Sequence, residues 1–327
     1  MLSVIDIFSA LGERLRLFGS DSESRRCIAM SMEANGWFTE RDLHRSVEAI
    51  RTEMLDRDLL TSWLSGYTPV SVPKRVAVIM AGNIPLVGFF DLLCVVASGN
   101  ECHIKPSSKD RVMMDYVVGL LREIEPAIPI FEYDPDARYD MAIATGGEEA
   151  NRYFRSHFAG VRSLLRGSRH SVAVISGRES EAELRGIAED ITSYSGLGCR
   201  SVSMLFVPRD FRLDSLALPG DSGKRHNNYV AVRAMLTMQR REFVDCGAFL
   251  CVWQTTFPSA LSCVAYSRYD DLSQVEQWLS EHDEELQCVV STVVSHPRRV
   301  LPGRAQYPAL GDYADGVDTM SFLTEKI

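Results

Sequence analysis

Positive charge is in short supply in this chain: 35 lysine and arginine residues face 44 aspartate and glutamate residues, for a net charge of -9. That balance excludes a general basic footprint for nucleic acid or an anionic membrane surface, and no nucleic-acid partner is expected. Long apolar runs are also missing. The longest, 84–97, is interrupted by Asp91 and falls short of the roughly 20 residues that a membrane helix needs, so no membrane span is expected. Cysteines stand at 27, 94, 102, 199, 246, 251, 263 and 288 without a single CxxC pair, which argues for reduced thiols and against a disulfide framework or a metal site. The first residues mix Asp6, Glu13, Arg14 and Arg16 with apolar positions and lack a signal-peptide core, so a cytoplasmic location is expected. Internal repeats and low-complexity stretches are absent.

What is present is enough apolar material, 46% of 327 residues, for one large or two ordinary domains. Up to residue 72 apolar residues recur at helical spacing, and this stretch reads as a helical N-terminal layer. The break Gly66-Tyr67-Thr68-Pro69 then gives way to short β-rich runs alternating with helical ones. Strands are expected at 75–80, 101–105, 140–144 and 171–176, with helices at 84–98, 109–125 and 149–158 and another from Ser180 towards Tyr194. Alternation of this kind argues a parallel, doubly wound sheet. Residues 211–226 read as an irregular loop; β-like runs at 249–253, 262–267 and 287–294 and a helix at 271–281 suffice for a second lobe. The tail from 303 shows little regular pattern. The expected division is 1–72 helical layer, 73–170 nucleotide-binding lobe, 171–302 catalytic lobe and 303–327 tail.

The stretch richest in chemistry is Ser195-Gly196-Leu197-Gly198-Cys199-Arg200-Ser201. Two glycines before a thiol at a helix-to-strand junction let the backbone bring a small reagent close and present Cys199 and its N–H to it. The plain alternative is one more buried thiol. Arg200 beside it would either depress the thiol pKa or face solvent.

Three strand-to-helix junctions precede it. Ala81-Gly82-Asn83-Ile84-Pro85 has the place of a nucleotide-binding turn without the GxGxxG spacing. Asn83 there is either a helix cap or an electrophilic amide donor. Lys105-Pro106-Ser107-Ser108 puts a lysine at a strand end, where it is either a solvated charge or a hold on ribose or phosphate. Thr145-Gly146-Gly147-Glu148-Glu149 opens a helix whose N-terminus favours an anion, although its glutamates equally complement the helix dipole.

Taken in order, AGNIP, GN before a strand and KPSS, ATGGEEANRYF, GSRHSVAVIS and GLGCRSVSMLFVP resemble the aldehyde dehydrogenase superfamily over 76–208. Within it the chain looks most like the acyl-CoA reductase branch, the group containing the fatty acyl reductase of bacterial luminescence. Asn35-Gly36-Trp37-Phe38-Thr39, His226-Asn227-Asn228-Tyr229 and the tail GRAQYPALGDYADGVDT are similar to compact bacterial members.

The resemblance implies a Rossmann-like nucleotide lobe plus an α/β catalytic lobe. It casts Cys199 as nucleophile and Asn83 as oxyanion donor together with the Cys199 N–H. Lys105, Ser107 and Ser108 would hold the adenosine ribose, and Gly146 and Gly147 the pyrophosphate. Hydrolytic members place a glutamate shortly before the strand at 171–176, but this chain has Leu164-Leu165-Arg166-Gly167. A base that activates water would destroy an acyl-enzyme waiting for hydride, so its absence suits a reductase. At Ser108 NAD-preferring relatives often carry a glutamate; serine followed by Lys109 removes the repulsion that a 2′-phosphate would meet, which favours NADPH, with NADH also possible. His170 is either a structural histidine or a proton donor to the nascent aldehyde.

The implied reaction is reduction of an acyl-CoA or acyl carrier protein thioester, of fatty type, to aldehyde through a Cys199 acyl-enzyme. The alternatives are a CoA-acylating dehydrogenase acting on a short-chain aldehyde, or a non-catalytic member that binds nucleotide or a partner. A homo-oligomer is left open.

Overall fold

The computed structural model describes residues 2–220 and 223–325. They fall into two compact units: one runs through residue 168 and takes in the segment from 307 onward, and the other is 169–306.

The first unit opens with four helices, α1 (Val4–Leu15), α2 (Ser22–Ala34), α3 (Glu40–Glu53) and α4 (Arg57–Leu64). Each starts on a short polar side chain, Ser3, Asp21, Thr39 or Asp56, that accepts an N–H of the first turn. Next come β1 (Arg75–Ile79), α5 (Phe89–Ala97), β2 (Glu101–Lys105), α6 (Arg111–Ile124), β3 (Ile130–Glu132), β4 (Met141–Thr145), α7 (Glu148–His157) and β5 (Arg162–Arg166). The five strands are parallel in the order β3-β2-β1-β4-β5. Connections run one way from β1 to β3 and the other way through β4 and β5. The switch point lies between β1 and β4, and the strand carboxyl ends beside it are where open α/β sheets take their ligands.

The helical layer is continuous with this core: Phe8 and Leu11 of α1 share one apolar cluster with Leu92 and Leu93 of α5 and Met113 and Val117 of α6. The C-terminal segment packs there too. Tyr313 bonds Trp63 and Tyr67, and the Leu323 carbonyl accepts from Asn100. Asp318 caps a short terminal helix, Thr319–Thr324, where a patternless tail is expected from the sequence.

The second unit holds β6 (His170–Val174), α8 (Glu181–Thr192), β7 (Val202–Pro208), α9 (Gly223–Met238), β8 (Val244–Asp245), β9 (Leu250–Trp253), β10 (Cys263–Tyr269), α10 (Leu272–Glu281), β11 (Leu286–Ser291) and β12 (Arg299–Val300). Its sheet runs β12-β11-β6-β7-β10-β9-β8, parallel except for the antiparallel β8–β9 pair. The α/β, doubly wound expectation holds, and so does the capping box, in which Ser180 and Glu183 bond each other's backbone N–H groups.

Two expectations need correction. The helix after β1 begins at Phe89 rather than at residue 84, because Leu86 takes a left-handed φ of 56° and Gly88 serves as its N-cap. Within 211–226, of which 221–222 lie outside the described residues, the chain forms a short 3-10 turn at Leu213–Leu216, and α9 begins at Gly223, so the HNNY segment is helical.

Candidate functional site

In the first unit the pairing Ile79↔Lys105 on one side of β1 and Ile79↔Ala144 on the other puts all three strand-to-helix junctions at one sheet edge. Lys105 is exposed there, its Nζ 5.9 Å from the Tyr133 ring centre. Ser107 is half-buried and Ser108 exposed. Gly82 lies so close to Ser107 that a Cβ on it would stand 2.5 Å from the serine Oγ. Asn83, half-buried in the loop before α5, is not the helix cap; Gly88 holds that position. The unit therefore brings the Asn83 loop, Lys105, Ser107, Ser108, Gly146 and Gly147 to the edge beside the switch point.

Gly146 and Gly147 differ in what surrounds them. The Gly146 N–H donates to the Arg166 carbonyl at 3.2 Å, and Asn151 Nδ2 ties the Gly146 and Arg166 carbonyls together. A Cβ at Gly146 would sit 2.8 Å from the Ala150 Cβ and 3.1 Å from the Phe154 ring, whereas one at Gly147 meets nothing within 4 Å. Gly147, with φ of -67°, caps α7 in a backbone any residue adopts. Gly146→Ala is expected to destabilise the first unit by about 1–3 kcal/mol and Gly147→Ala by less than about 0.5 kcal/mol, as read by urea unfolding. Equal losses would mean that the turn is packed on both sides. A glycine turn against a helix N-terminus at a switch point suits a phosphate-bearing dinucleotide, so the residues fit the cofactor that the fold implies.

In the second unit α8 delivers the chain to Cys199 through a kink. Tyr194, Ser195 and Gly196 take φ values of 51°, 57° and 74°, and the two non-glycine members, both buried, hold a conformation that costs on the order of 1 kcal/mol each. The Gly198 carbonyl accepts the Ser201 N–H at 2.9 Å, making a turn with Cys199 at its second position.

That turn is supported from three sides. Ser171 Oγ on β6 donates to the Cys199 carbonyl at 2.8 Å, and Cys288 on β11 donates its N–H to the same hydroxyl at 3.2 Å. Arg200 Nε donates to the Ala305 carbonyl, and Gln306 reaches Ser201 Oγ, so the GRAQ part of the tail braces the cysteine turn. Asp190 of α8 in turn accepts the N–H groups of Gly303 and Ala305. Arg200 is thus anchored on backbone rather than directed at solvent.

Cys199 and Cys263 are half-buried, while the other six thiols are buried. Burial pushes the thiols of Cys94, Cys102 and Cys263 up and raises Cys27 to about 11, and the hydrogen bond with Cys246 followed by burial pushes that of Cys251 up, which leaves all five poor nucleophiles. His170 stacks on Phe257 with ring centres 4.0 Å apart, and burial lowers its pKa, so it stands as a neutral imidazole near pH 7. Among the described residues no cluster of histidine, cysteine and carboxylate side chains could hold a metal ion, and no helix is long and apolar enough to cross a membrane.

Two further groups at these sites escape sequence reading. Arg166, at the end of β5, is buried against Asp91 of α5, its Nη1 2.5 and 2.6 Å from the two carboxylate oxygens, and its Nη2 donates to Thr319 Oγ1. The signal was Asp91 itself, a charge inside an apolar run, which demands a buried partner. Asp110, buried between the β1–α5 and β2–α6 junctions, carries no such signal.

The family described as acyl-CoA reductase (LuxC) matches residues 21–215. Among curated proteins, the long-chain acyl-protein thioester reductase of Aliivibrio fischeri is 29% identical over 153 residues, 41% of this chain and 32% of that one. Long-chain acyl-protein thioester reductase 2 of Photobacterium leiognathi is 24% identical over 180 residues, 49% of this chain and 38% of that one. The matched stretch thus spans only about a third of those relatives' length. Among solved structures, an acetylating aldehyde dehydrogenase from Geobacillus thermoglucosidasius superposes with a TM-score of 0.65 at 12% identity, covering 95% of this chain and 83% of that one. An aldehyde dehydrogenase from Bacillus cereus, solved as its NAD+ complex, gives a TM-score of 0.60 at 14% identity, covering 90% and 72%. These two establish an aldehyde-dehydrogenase-like fold.

Proposed function

The chain belongs to the LuxC acyl-CoA reductase family, and we propose that it reduces a fatty acyl thioester, carried on CoA or on an acyl carrier protein, to the aldehyde through an acyl-enzyme on Cys199. The observation that carries this reading is the strained, triply braced turn that presents Cys199 as one of only two half-buried thiols. A structural thiol would not need three consecutive left-handed residues ahead of it.

In this reading the Cys199 thiolate attacks the thioester carbonyl, and the collapse of the tetrahedral adduct expels the donor thiolate. Asn83 is assigned the amide that stabilises the oxyanion. Transthioesterification exchanges one thioester for another and is nearly balanced. Bound nicotinamide dinucleotide supplies the hydride. Lys105, Ser107 and Ser108 would hold its adenosine ribose, and Gly146 and Gly147 its pyrophosphate. Ser108 followed by Lys109 leaves room and favourable charge for a 2′-phosphate, which supports NADPH over NADH. No carboxylate stands in 164–167 to activate water, which supports a reductase over a hydrolase. A neutral His170 would serve as proton donor to the departing aldehyde only from its minority imidazolium form.

The test is intact mass after mixing the protein with acyl-CoA of varied chain length and no cofactor. An adduct of the acyl mass is expected, discharged as aldehyde on adding NADPH and more slowly with NADH. Absence of an adduct at every chain length would overturn the reading.

A further inference from the structure

The loop between β1 and α5 is tied down on both sides of Asn83 by buried side chains. The Gly82 carbonyl accepts from Asn35 Nδ2 at 3.3 Å, the Pro85 carbonyl accepts from Ser46 Oγ at 2.8 Å, and the Leu86 N–H donates to Asp110 Oδ2 at 2.8 Å. Asn35, Ser46 and Asp110 are 6%, 5% and 4% exposed, so none of these bonds competes with bulk water. Asn35 is itself fixed, its Oδ1 accepting the Trp37 N–H at 3.1 Å. The asparagine of the Asn35-Gly36-Trp37-Phe38-Thr39 motif, otherwise without a role in the reaction, therefore reaches the active-site loop from the N-terminal layer.

Asp110 is the central member. It occupies the N-cap position of α6 but makes no side-chain capping bond, and Oδ1 is buried without a partner. Its N–H donates to the Ser107 carbonyl at 3.0 Å, and its Cβ lies 3.3 Å from where a side chain on Gly82 would begin. A carboxyl that forgoes the cap and leaves an oxygen unsatisfied is committed to the Leu86 N–H. That bond holds Leu86 in its left-handed φ of 56°, a conformation a β-branched or leucine side chain avoids unless held. Burial pushes the Asp110 carboxyl well above the usual carboxylate range, opposed only in part by the Leu86 bond.

We infer that Asp110, backed by Ser46 and Asn35, is a positioning residue that sets the Asn83 amide for its part in forming the acyl-enzyme. This rests on the role proposed above for Asn83. The clamp holds the backbone at Gly82 on one side of Asn83 and at Pro85 and Leu86 on the other, which confines where its amide projects.

Acyl-enzyme formation needs no cofactor, so its rate can be followed by mass alone. Asp110→Ala is expected to slow it on the order of 100-fold, the loss that follows when a reacting group is displaced by about 1 Å. Asp110→Asn, which keeps a side-chain oxygen to accept the Leu86 N–H, should stay within about threefold of wild type. Ser46→Ala, a smaller perturbation that serves if Asp110→Ala fails to fold, should slow acylation about tenfold. Alkylation of Cys199 by iodoacetamide, which does not call on Asn83, should be unchanged in all three. Asn83→Ala combined with Asp110→Ala or Ser46→Ala should be no slower than Asn83→Ala alone. If Asn83→Ala acylates slowly while Asp110→Ala and Ser46→Ala match wild type, or if the effects multiply, the clamp is refuted and the role of Asn83 stands. If Asn83→Ala itself acylates at the wild-type rate, the reading of Asn83 falls and the clamp with it.

Discussion

Replacing Cys199 with alanine should slow aldehyde formation by about 10⁴-fold or more, the scale seen when the nucleophile of a covalent mechanism is removed. The loss is expected to be nearly complete because no second thiol is placed to take over. Cys94, Cys102 and Cys251 are buried with raised pKa values, and Cys27 sits near 11. Cys263, the other half-buried thiol, lies on β10, with its pKa also pushed up. Alanine removes only the sulfur from a turn held through backbone groups: the Cys199 carbonyl to Ser171 and the Gly198 carbonyl to Ser201. Stability should therefore change by less than about 1 kcal/mol, which keeps the kinetic loss interpretable. The mass assay supplies the internal check, since the acyl adduct and the fast iodoacetamide adduct must vanish together in Cys199→Ala. Retention of a tenth of the wild-type rate, or an acyl adduct persisting on another cysteine, would move the nucleophile elsewhere.

Cys199 stands out in the sequence as a candidate because glycines around a lone thiol are a local signal, and the three junctions because strand and helix periods meet there. The fold class followed from the same alternation. What supports these sites was harder to see. The strained kink at Tyr194 and Ser195 has no compositional mark, since neither residue favours positive φ. β5, read from Arg162-Ser163-Leu164-Leu165-Arg166, has no clean alternation, and its strand form comes from pairing with β4. α5 starts five residues later than its apolar pattern suggests because the apolar run continues smoothly through Leu86, whose N–H donates a hydrogen bond to a residue 24 positions away that sets the backbone. The tail carried a family resemblance but no pattern; its first part braces the cysteine turn in one unit, and its last part packs in the other. Such roles are set by contacts distant in sequence.

Asp91→Ala should destabilise the first unit by about 3–5 kcal/mol, the expected result of leaving a buried cation without its partner. Arg166 and Asp91 have side chains only 7% and 6% exposed, so water cannot replace the lost carboxylate. The guanidinium would keep Thr319 as a side-chain partner, and its Nε already lacks one. A loss of this size should lower the melting temperature by roughly 10 °C. The pair itself need not be strongly stabilising, since the desolvation of two charges offsets much of their attraction. Asp91→Leu combined with Arg166→Met should therefore recover most of the loss, and a double-mutant cycle would then show strong coupling. The consequence for function runs through the backbone of the same arginine. The Arg166 carbonyl accepts the Gly146 N–H and Asn151 Nδ2, so slack at the end of β5 passes directly into the glycine turn assigned to the pyrophosphate. Asp91→Ala is thus expected to weaken dinucleotide binding more than it slows acyl-enzyme formation, a split measurable by titration with NADPH and by the mass assay on the same preparation. Destabilisation below about 1 kcal/mol would show that Arg166 finds another partner on relaxation, and uniform losses in binding and acylation would show that the ion pair supports the unit as a whole rather than the turn.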